Sequence, residues 1–325
     1  MTVPLRKRIK RSVRSALVRG VVRLLAFVPL RPAVALATLV ARIGWPLARE
    51  TRRQMLAQLA IAFPEKDAAD REAIAKASLL HLAWLAAEVA TLRSYRDRLP
   101  SYVGFAPGAE ARLRAAAAGG RGLLYVTGHI GNWELMAQRV AAELPSATIA
   151  RAGNDPKLTA LIGRARGEGR VETLWREDPG TARAMIRCFK QGKLLGLLID
   201  QDTNVQGVFV PFFGRPAFTP RGAADLALRF KVPVLVGWSR RRGPAPGDGH
   251  EIDIVEMPYD AEAADRGEEA VRLTAACTAV LEQAIRRNPA EWVWMHERWK
   301  TRPPAPAAEA PQAKPVPKSA ELSDG

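Results

Sequence analysis

Two short, uninterrupted apolar runs constrain this chain more than any other feature. They are Gly122 to Thr127 (GLLYVT) and Leu194 to Ile199 (LLGLLI), each closed at both ends by turn or polar residues. Runs of this length read as strands buried on both faces. Helical spacing fills the intervals: Asp70 to Thr91, Glu110 to Ala118, Leu135 to Leu144, Pro156 to Arg166, Thr181 to Lys190, Gly222 to Phe230 and Glu262 to Arg287. Further strands are expected at Ala147 to Ala150, Val232 to Trp238 and Ile252 to Met257. Strands alternating with helices place the chain in the α/β class, with a central mixed sheet flanked by helices. No internal repeat is present.

Charge divides the chain unevenly. The formal net charge is +16, and the stretch up to Arg53 holds thirteen basic residues against Glu50 alone, so 13 − 1 = +12 of it lies there. From Arg8 to Leu25 the residues sort at helical spacing. Arg8, Arg11, Ser12, Ser15, Arg19 and Arg23 share one face, and Val13, Leu17, Val18, Val21, Leu24 and Leu25 the other. A basic amphipathic helix suits a membrane interface, where each Lys or Arg near an anionic leaflet contributes about 1 kcal/mol. The alternative is a helix packed on the core. The apolar runs that follow are broken at Arg31 and Arg42, and none reaches the roughly 20 residues of a clean span. The expectation is a segment, residues 1–50, that lies on or is anchored in an anionic membrane surface rather than being exported. Residues 51–303 form the main domain, and the Pro/Ala-rich residues 304–325 read as a disordered tail. Aromatic residues make up 6% of the chain and are not interleaved with the basic ones, which argues against a nucleic-acid partner. Cys188 and Cys277 match neither a paired-thiol nor a zinc spacing, so both are expected as small core residues.

The stretch Thr127 to Glu134 (TGHIGNWE) carries the chemistry. It leaves a buried strand and opens a helix, the position where ligands gather in α/β sheets. His129 and Glu134 are too far apart in angle to pair on one continuous helix, but Gly128 and Gly131 free the loop for such a contact. A carboxylate so placed fixes the tautomer of a histidine base. The plainer reading also stands: Asn132 is a good helix cap, and the helix dipole favours an acid at Glu134. No serine or cysteine occupies a comparable setting, which points to direct attack by a substrate hydroxyl.

The stretch GHIGNWE resembles the H-x-x-x-x-D/E motif of glycerolipid acyltransferases. In detail it is similar to the late acyltransferases of lipid A biosynthesis, the lauroyl/myristoyl transferase family. Three further blocks carry the likeness: Arg151 to Asn154 (RAGN), where the family more often has proline after the arginine; Asp200-Gln201-Asp202 followed by Val208 to Gly214 (VFVPFFG); and Glu291 to Pro303 (EWVWMHERWKTRP). The likeness runs from about residue 5 to 303. It implies a glycerolipid-acyltransferase-like fold and transfer of a fatty acyl chain from acyl carrier protein, or coenzyme A, to a hydroxyl of a lipid A precursor. The bacterial inner membrane's cytoplasmic face is the implied location. His129 would be the base, Glu134 its partner, and Arg151 and Asp200 supporting residues. Arg151 suits either an oxyanion or a phosphate. Gly131, Asn132, Asn154, Asp202, Phe212 and Phe213 are the implied substrate-binding residues, although the two phenylalanines also suit the core. Trp292, Trp294, His296 and Trp299 read as an aromatic cluster closing the core. No resident cofactor is expected, nor a metal, since nothing joins Asp200 and Asp202 as ligands. Related acceptors fit the same motifs: a phosphatidylinositol mannoside, an ornithine lipid or a lysophospholipid.

Overall fold

Each apolar run buries two faces at once. In the computed structural model, which describes residues 20, 27–153 and 155–304, the run at residues 123–127 is strand β2 (Leu123–Thr127). Its Leu124 and Val126 join one core cluster, and its Leu123 and Tyr125 the other. Strand β5 (Leu194–Leu198) pairs with it in parallel, Thr127 opposite Leu198. The sheet has seven strands, ordered β1-β9-β8-β2-β5-β3-β4. The others are β1 (Val103–Phe105), β3 (Ser146–Ala150), β4 (Val171–Trp175), β8 (Val234–Arg241) and β9 (His250–Glu256). All neighbours are parallel except β8 and β9. The sheet is therefore mixed and the class α/β.

Connections make a crevice. Helix α6 (Trp133–Glu143) carries the chain from β2 towards β3 and packs Leu135, Met136 and Val140 on one face of the sheet. After β5 the chain goes the opposite way, through hairpin β6 (Gly207–Phe212) and β7 (Arg215–Pro220) and helix α9 (Gly222–Phe230), to β8. Helix α9 packs Ala223, Ala224, Ala227 and Leu228 on the other face. Where connections from two adjacent parallel strands diverge, their carboxyl ends flank an open crevice. The loops after β2 and β5 meet there.

The remaining helices close the layers. They are α1 (Leu30–Leu47), α2 (Arg49–Ala62), α3 (Ala68–Ala90), α4 (Leu99–Tyr102), α5 (Ala109–Ala117), α7 (Pro156–Glu168), α8 (Thr181–Lys190) and α10 (Arg266–Arg287). Helix α10 begins four residues later than its spacing suggests, because Asp265 caps it by accepting N–H bonds from Gly267 at 2.7 Å and Glu268 at 2.9 Å. Strands β1 and β4 and the hairpin were not evident in the sequence. β1 spans only Val103–Phe105, and β4 exposes Glu172 beside two partly covered residues. The hairpin turns on Phe213 and Gly214, both at positive φ (52° and 71°), the requirement of a type I′ turn. A phenylalanine there is unfavourable, but its ring is buried against Phe63, Phe212 and Trp294. Phe212 is likewise buried, against Trp292 and Trp299. The structure thus places both phenylalanines in the core, not on a substrate surface. Cys188 and Cys277 are buried and free.

At the amino-terminal end, α1 runs through Arg31 and Arg42 as one helix. Ala33, Val34, Ala41 and Trp45 are buried, whereas Leu36, Leu39, Val40, Ile43 and Leu47 are half or more exposed. Their spacing puts these five on one stripe. Among the described residues, one helix, α3, is long and apolar enough to cross a membrane. Its Ser78, His81, Leu85 and Glu88 are buried inside the domain, so one face of α3 packs into it. The amphipathic segment Arg8 to Leu25, except Gly20, and the tail from residue 305 lie outside the described residues, as does Asn154.

Candidate active site

Parallel pairing of β2 with β5 sets the site. The ladder continues past the strands, with the Ile199 N–H donating to Thr127 O at 3.1 Å, so residues 128–129 lie beside 199–200. Gly128 permits the approach: a Cβ there would stand 2.8 Å from the Asp200 carboxylate. Asp200 is 3% exposed and accepts three N–H donors. His129 Nδ1–H donates to Oδ1 at 2.9 Å, the His129 backbone N–H to Oδ2 at 2.6 Å, and the Trp292 indole N–H to Oδ2 at 2.8 Å. Burial alone would raise the Asp200 carboxyl, but the adjoining His129 charge and these donors outweigh it and hold it down at about 2. A carboxylate on Nδ1 assigns the proton to that nitrogen and leaves Nε2 as the acceptor. The His129 side chain keeps 22% exposure, and the Trp133 ring stands edge-on to it at 4.9 Å.

The carboxylate that meets the imidazole is Asp200, not Glu134. Glu134 sits in the first turn of α6 and faces the last turn of α7, where Arg166 Nε donates to Oε2 at 2.9 Å and a second guanidinium nitrogen to Oε1. The pair is mostly buried and ties α6 to α7. His129 turns its Nδ1 the other way, because its neighbouring strand is β5. Arg151 follows β3 on the same edge of the sheet and is exposed. Asp202 accepts the Thr301 N–H at 2.6 Å and the Thr301 hydroxyl at 2.9 Å, a tie on the carboxyl-terminal segment.

Gly131 and Asn132 also hold structure instead of facing the crevice. Gly131 has φ +60°, and a Cβ on it would lie 2.0 Å from Ser239 O, so only glycine fits. Its N–H donates to Glu291 O at 2.9 Å, and its carbonyl lies 3.1 Å from His81 Nε2. Asn132 is fully buried. Its Oδ1 caps α6 through the Leu135 N–H at 3.1 Å, and its Nδ2 donates to Glu88 Oε2 at 2.8 Å.

Glu88 is the second buried carboxylate of the region. Besides Asn132 it accepts from Arg241 at 2.7 and 3.1 Å, from His250 Nε2 at 3.1 Å and from the Tyr102 hydroxyl at 3.0 Å. Burial works against its charge, yet the His250 N–H and the Arg241 guanidinium outweigh burial and leave the carboxyl well below the usual range. Burial, with the Arg241 charge, also pushes the His81 imidazole down to about 3, so it is neutral. The residues 128–132 are thus held between two ionised, buried carboxylates. Sequence reasoning missed Glu88, His81, Gln201, Arg241 and the indole of Trp292. A signal existed for the first two: His81, Leu85 and Glu88 share one face of an otherwise apolar helix, an unusual place for an acid.

The family model of the bacterial lipid A biosynthesis acyltransferases matches residues 6–301. The chain belongs to that family. Its curated relatives include the lipid A biosynthesis lauroyltransferase of Escherichia coli, 30% identical over 59% of this chain and 60% of that protein. The lipid A biosynthesis acyltransferase of Haemophilus influenzae is 26% identical over 56% of this chain and 57% of its own length. The chain thus spans less than two thirds of either relative. Within this chain, the buried Asp200–His129 pair is an arrangement suited to activating a hydroxyl.

Removing one partner from a buried ion pair typically costs about 3–5 kcal/mol. Glu88→Ala is expected to lower the unfolding free energy by about that much at pH 7, read from denaturant midpoints. Because the folded carboxyl titrates below the ordinary glutamate range, its contribution is complete above that range and is lost as pH falls through the acid range. The difference between wild type and variant should therefore shrink towards acid pH. A pH-independent loss under 1 kcal/mol would show that the network contributes little.

Proposed function

We propose that this enzyme transfers a fatty acyl chain from a thioester of acyl carrier protein or coenzyme A to a hydroxyl of a lipid A precursor, with His129 as general base. The observation that carries the reading is an imidazole held through its Nδ1 by Asp200 at the crevice where the β2 and β5 connections part. A hydroxyl is a weak nucleophile at neutral pH. A positioned base that takes its proton during attack contributes roughly 10²–10⁴-fold. Asp200 stabilises the imidazolium that forms and keeps the ring from turning. The imidazolium then returns the proton to the departing thiolate. Arg151, exposed on the same edge, suits the phosphates of a carrier prosthetic group or of the acceptor.

The membrane assignment follows from α1. Its exposed stripe of Leu36, Leu39, Val40, Ile43 and Leu47 continues a strongly basic amino-terminal segment, which suits an anionic lipid surface. The proposed location is the cytoplasmic face of the bacterial inner membrane, where a thioester donor and a lipid acceptor meet.

Mass spectrometry of lipid A from cells with and without the protein tests the activity. One added acyl chain is expected with the wild type and none with His129→Ala, measured where the variant is still folded. Unaltered lipid A in both cells would reject the acceptor, and acylation by the His129→Ala protein would reject the base. Asp200→Asn should lower kcat by about 10² or more, since it favours the wrong tautomer. Glu134→Gln should lose less, since its carboxylate meets Arg166 and not the ring; the reverse ranking would make Glu134 the working partner. Replacing Leu39 and Ile43 together by Asp should weaken binding to vesicles containing anionic lipid at least tenfold. Wild-type binding by that variant would place the contact elsewhere.

A further inference from the structure

A second imidazole stands beside the first, and general-base chemistry at His129 makes no use of it. The rings of His129 and His296 have centroids 5.7 Å apart. Between them lies the side-chain amide of Gln201, with its nitrogen 2.7 Å from His296 Nε2. The same nitrogen is 3.1 Å from His129 Nδ1 and 3.2 Å from His129 Nε2. Near-equal distances to both nitrogens of one ring place the amide across that ring, not along either lone pair. Nδ1 is already committed to Asp200, so Nε2 stays open to a substrate hydroxyl.

Burial, and then the His129 charge, lower the basicity of the His296 imidazole, so at neutral pH the ring is neutral. In the tautomer with its proton on Nδ1, its Nε2 accepts an N–H from Gln201. An amide nitrogen carries two N–H groups. One is fixed by His296. The other is left beside His129 Nε2, where a hydroxyl drawn to that nitrogen would meet a carbonyl carbon. Of the backbone donors nearby, the His129 N–H is taken by Asp200 and the Gly131 N–H by Glu291 O.

We infer that Gln201 is a catalytic residue whose free amide N–H stabilises the oxyanion of acyl transfer, and that His296 is the positioning residue that holds it there. The inference rests on His129 being the base. In the step it serves, the acceptor oxygen bonds to the thioester carbon and gives its proton to His129 Nε2. The carbonyl π pair moves onto oxygen and is met by the Gln201 N–H. Collapse restores the carbonyl, breaks the carbon–sulfur bond and returns the proton from the imidazolium to the thiolate. Atoms and electrons balance with no further reagent.

Steady-state kinetics with purified full-length variants tests this. Loss of one oxyanion donor is worth about 10²–10³ in kcat in a well-studied protease. Gln201→Leu is expected to lower kcat by about 10², with KM for donor and acceptor within threefold of wild type. His296→Leu should lower kcat about tenfold, and the double variant should match Gln201→Leu, because the histidine acts only through the amide. His296→Gln should recover most of the loss, since its carbonyl oxygen accepts the same N–H. A Gln201→Leu kcat within threefold of wild type, or fully additive losses in the double variant, would overturn the inference. If the leucine variants melt below the assay temperature, Gln201→Glu decides: it keeps the shape without the N–H, so wild-type kcat there overturns the inference and a loss of about 10² supports it. His129→Ala separates the two readings. Inactivity there with an unimpaired Gln201→Leu sinks the oxyanion donor alone, whereas full activity there sinks the base and this inference with it.

Discussion

One buried carboxylate joins the parts of this molecule that must meet. Asp200 draws in the β2 loop through the His129 backbone and ring, and the carboxyl-terminal segment through the Trp292 indole, while it leaves the end of β5 itself. An ionised acid that is 3% exposed is tolerated only when its donors are in place. The fold therefore cannot form around Asp200 without also orienting the imidazole. Structure and readiness for chemistry are the same set of hydrogen bonds.

The second buried acid does the complementary work. Glu88 never approaches His129. It holds Asn132, which caps α6, and it neutralises Arg241 on β8, whose guanidinium also reaches His81 at 3.2 Å. His81 meets the Gly131 carbonyl. The histidine loop is thus supported from its far side by a network that shares no atom with the Asp200 cluster. Buried polar networks fix geometry, and a loop clamped from both sides loses little further entropy when a substrate binds.

What was legible in the sequence was whatever depends on local order. The apolar runs became β2 and β5, helical spacing gave α3 and α8, and the loop between Gly128 and Gly131 lay where a ligand crevice forms. What was not legible depends on contacts between distant residues. His129 and Asp200 are 71 positions apart, and only the β2–β5 pairing makes them neighbours. The nearer acid, Glu134, was the natural partner by position, but helix geometry turns it to Arg166, 32 residues on. Asn132 read as a helix cap and an implied substrate-binding residue; it is the cap, and it is buried because its amide also has an internal acceptor, Glu88, that no spacing reveals. The segment from Trp292 to Trp299 read as a core plug. It is that, and it also delivers an indole N–H to Asp200 and the His296 ring to Gln201.

The inventory of the site favours direct transfer between two bound substrates. Ring and hydrogen-bond contacts to the His129 side chain come, among the described residues, from Asp200, Gln201, Trp133 and His296. None of these offers a hydroxyl or thiol that could carry an acyl group. The two cysteines are buried in the core, and burial pushes the Cys277 thiol up to about 12, far from a reactive thiolate. On the proposed reading, a base without a protein nucleophile acts on a hydroxyl that comes from outside, and a thioester donor and the acceptor would then occupy the crevice together. For an acceptor held in a lipid surface, an apolar stripe such as that of α1 serves this requirement: it keeps the crevice next to the layer from which the hydroxyl arrives, and the barrier for two substrates to meet falls accordingly.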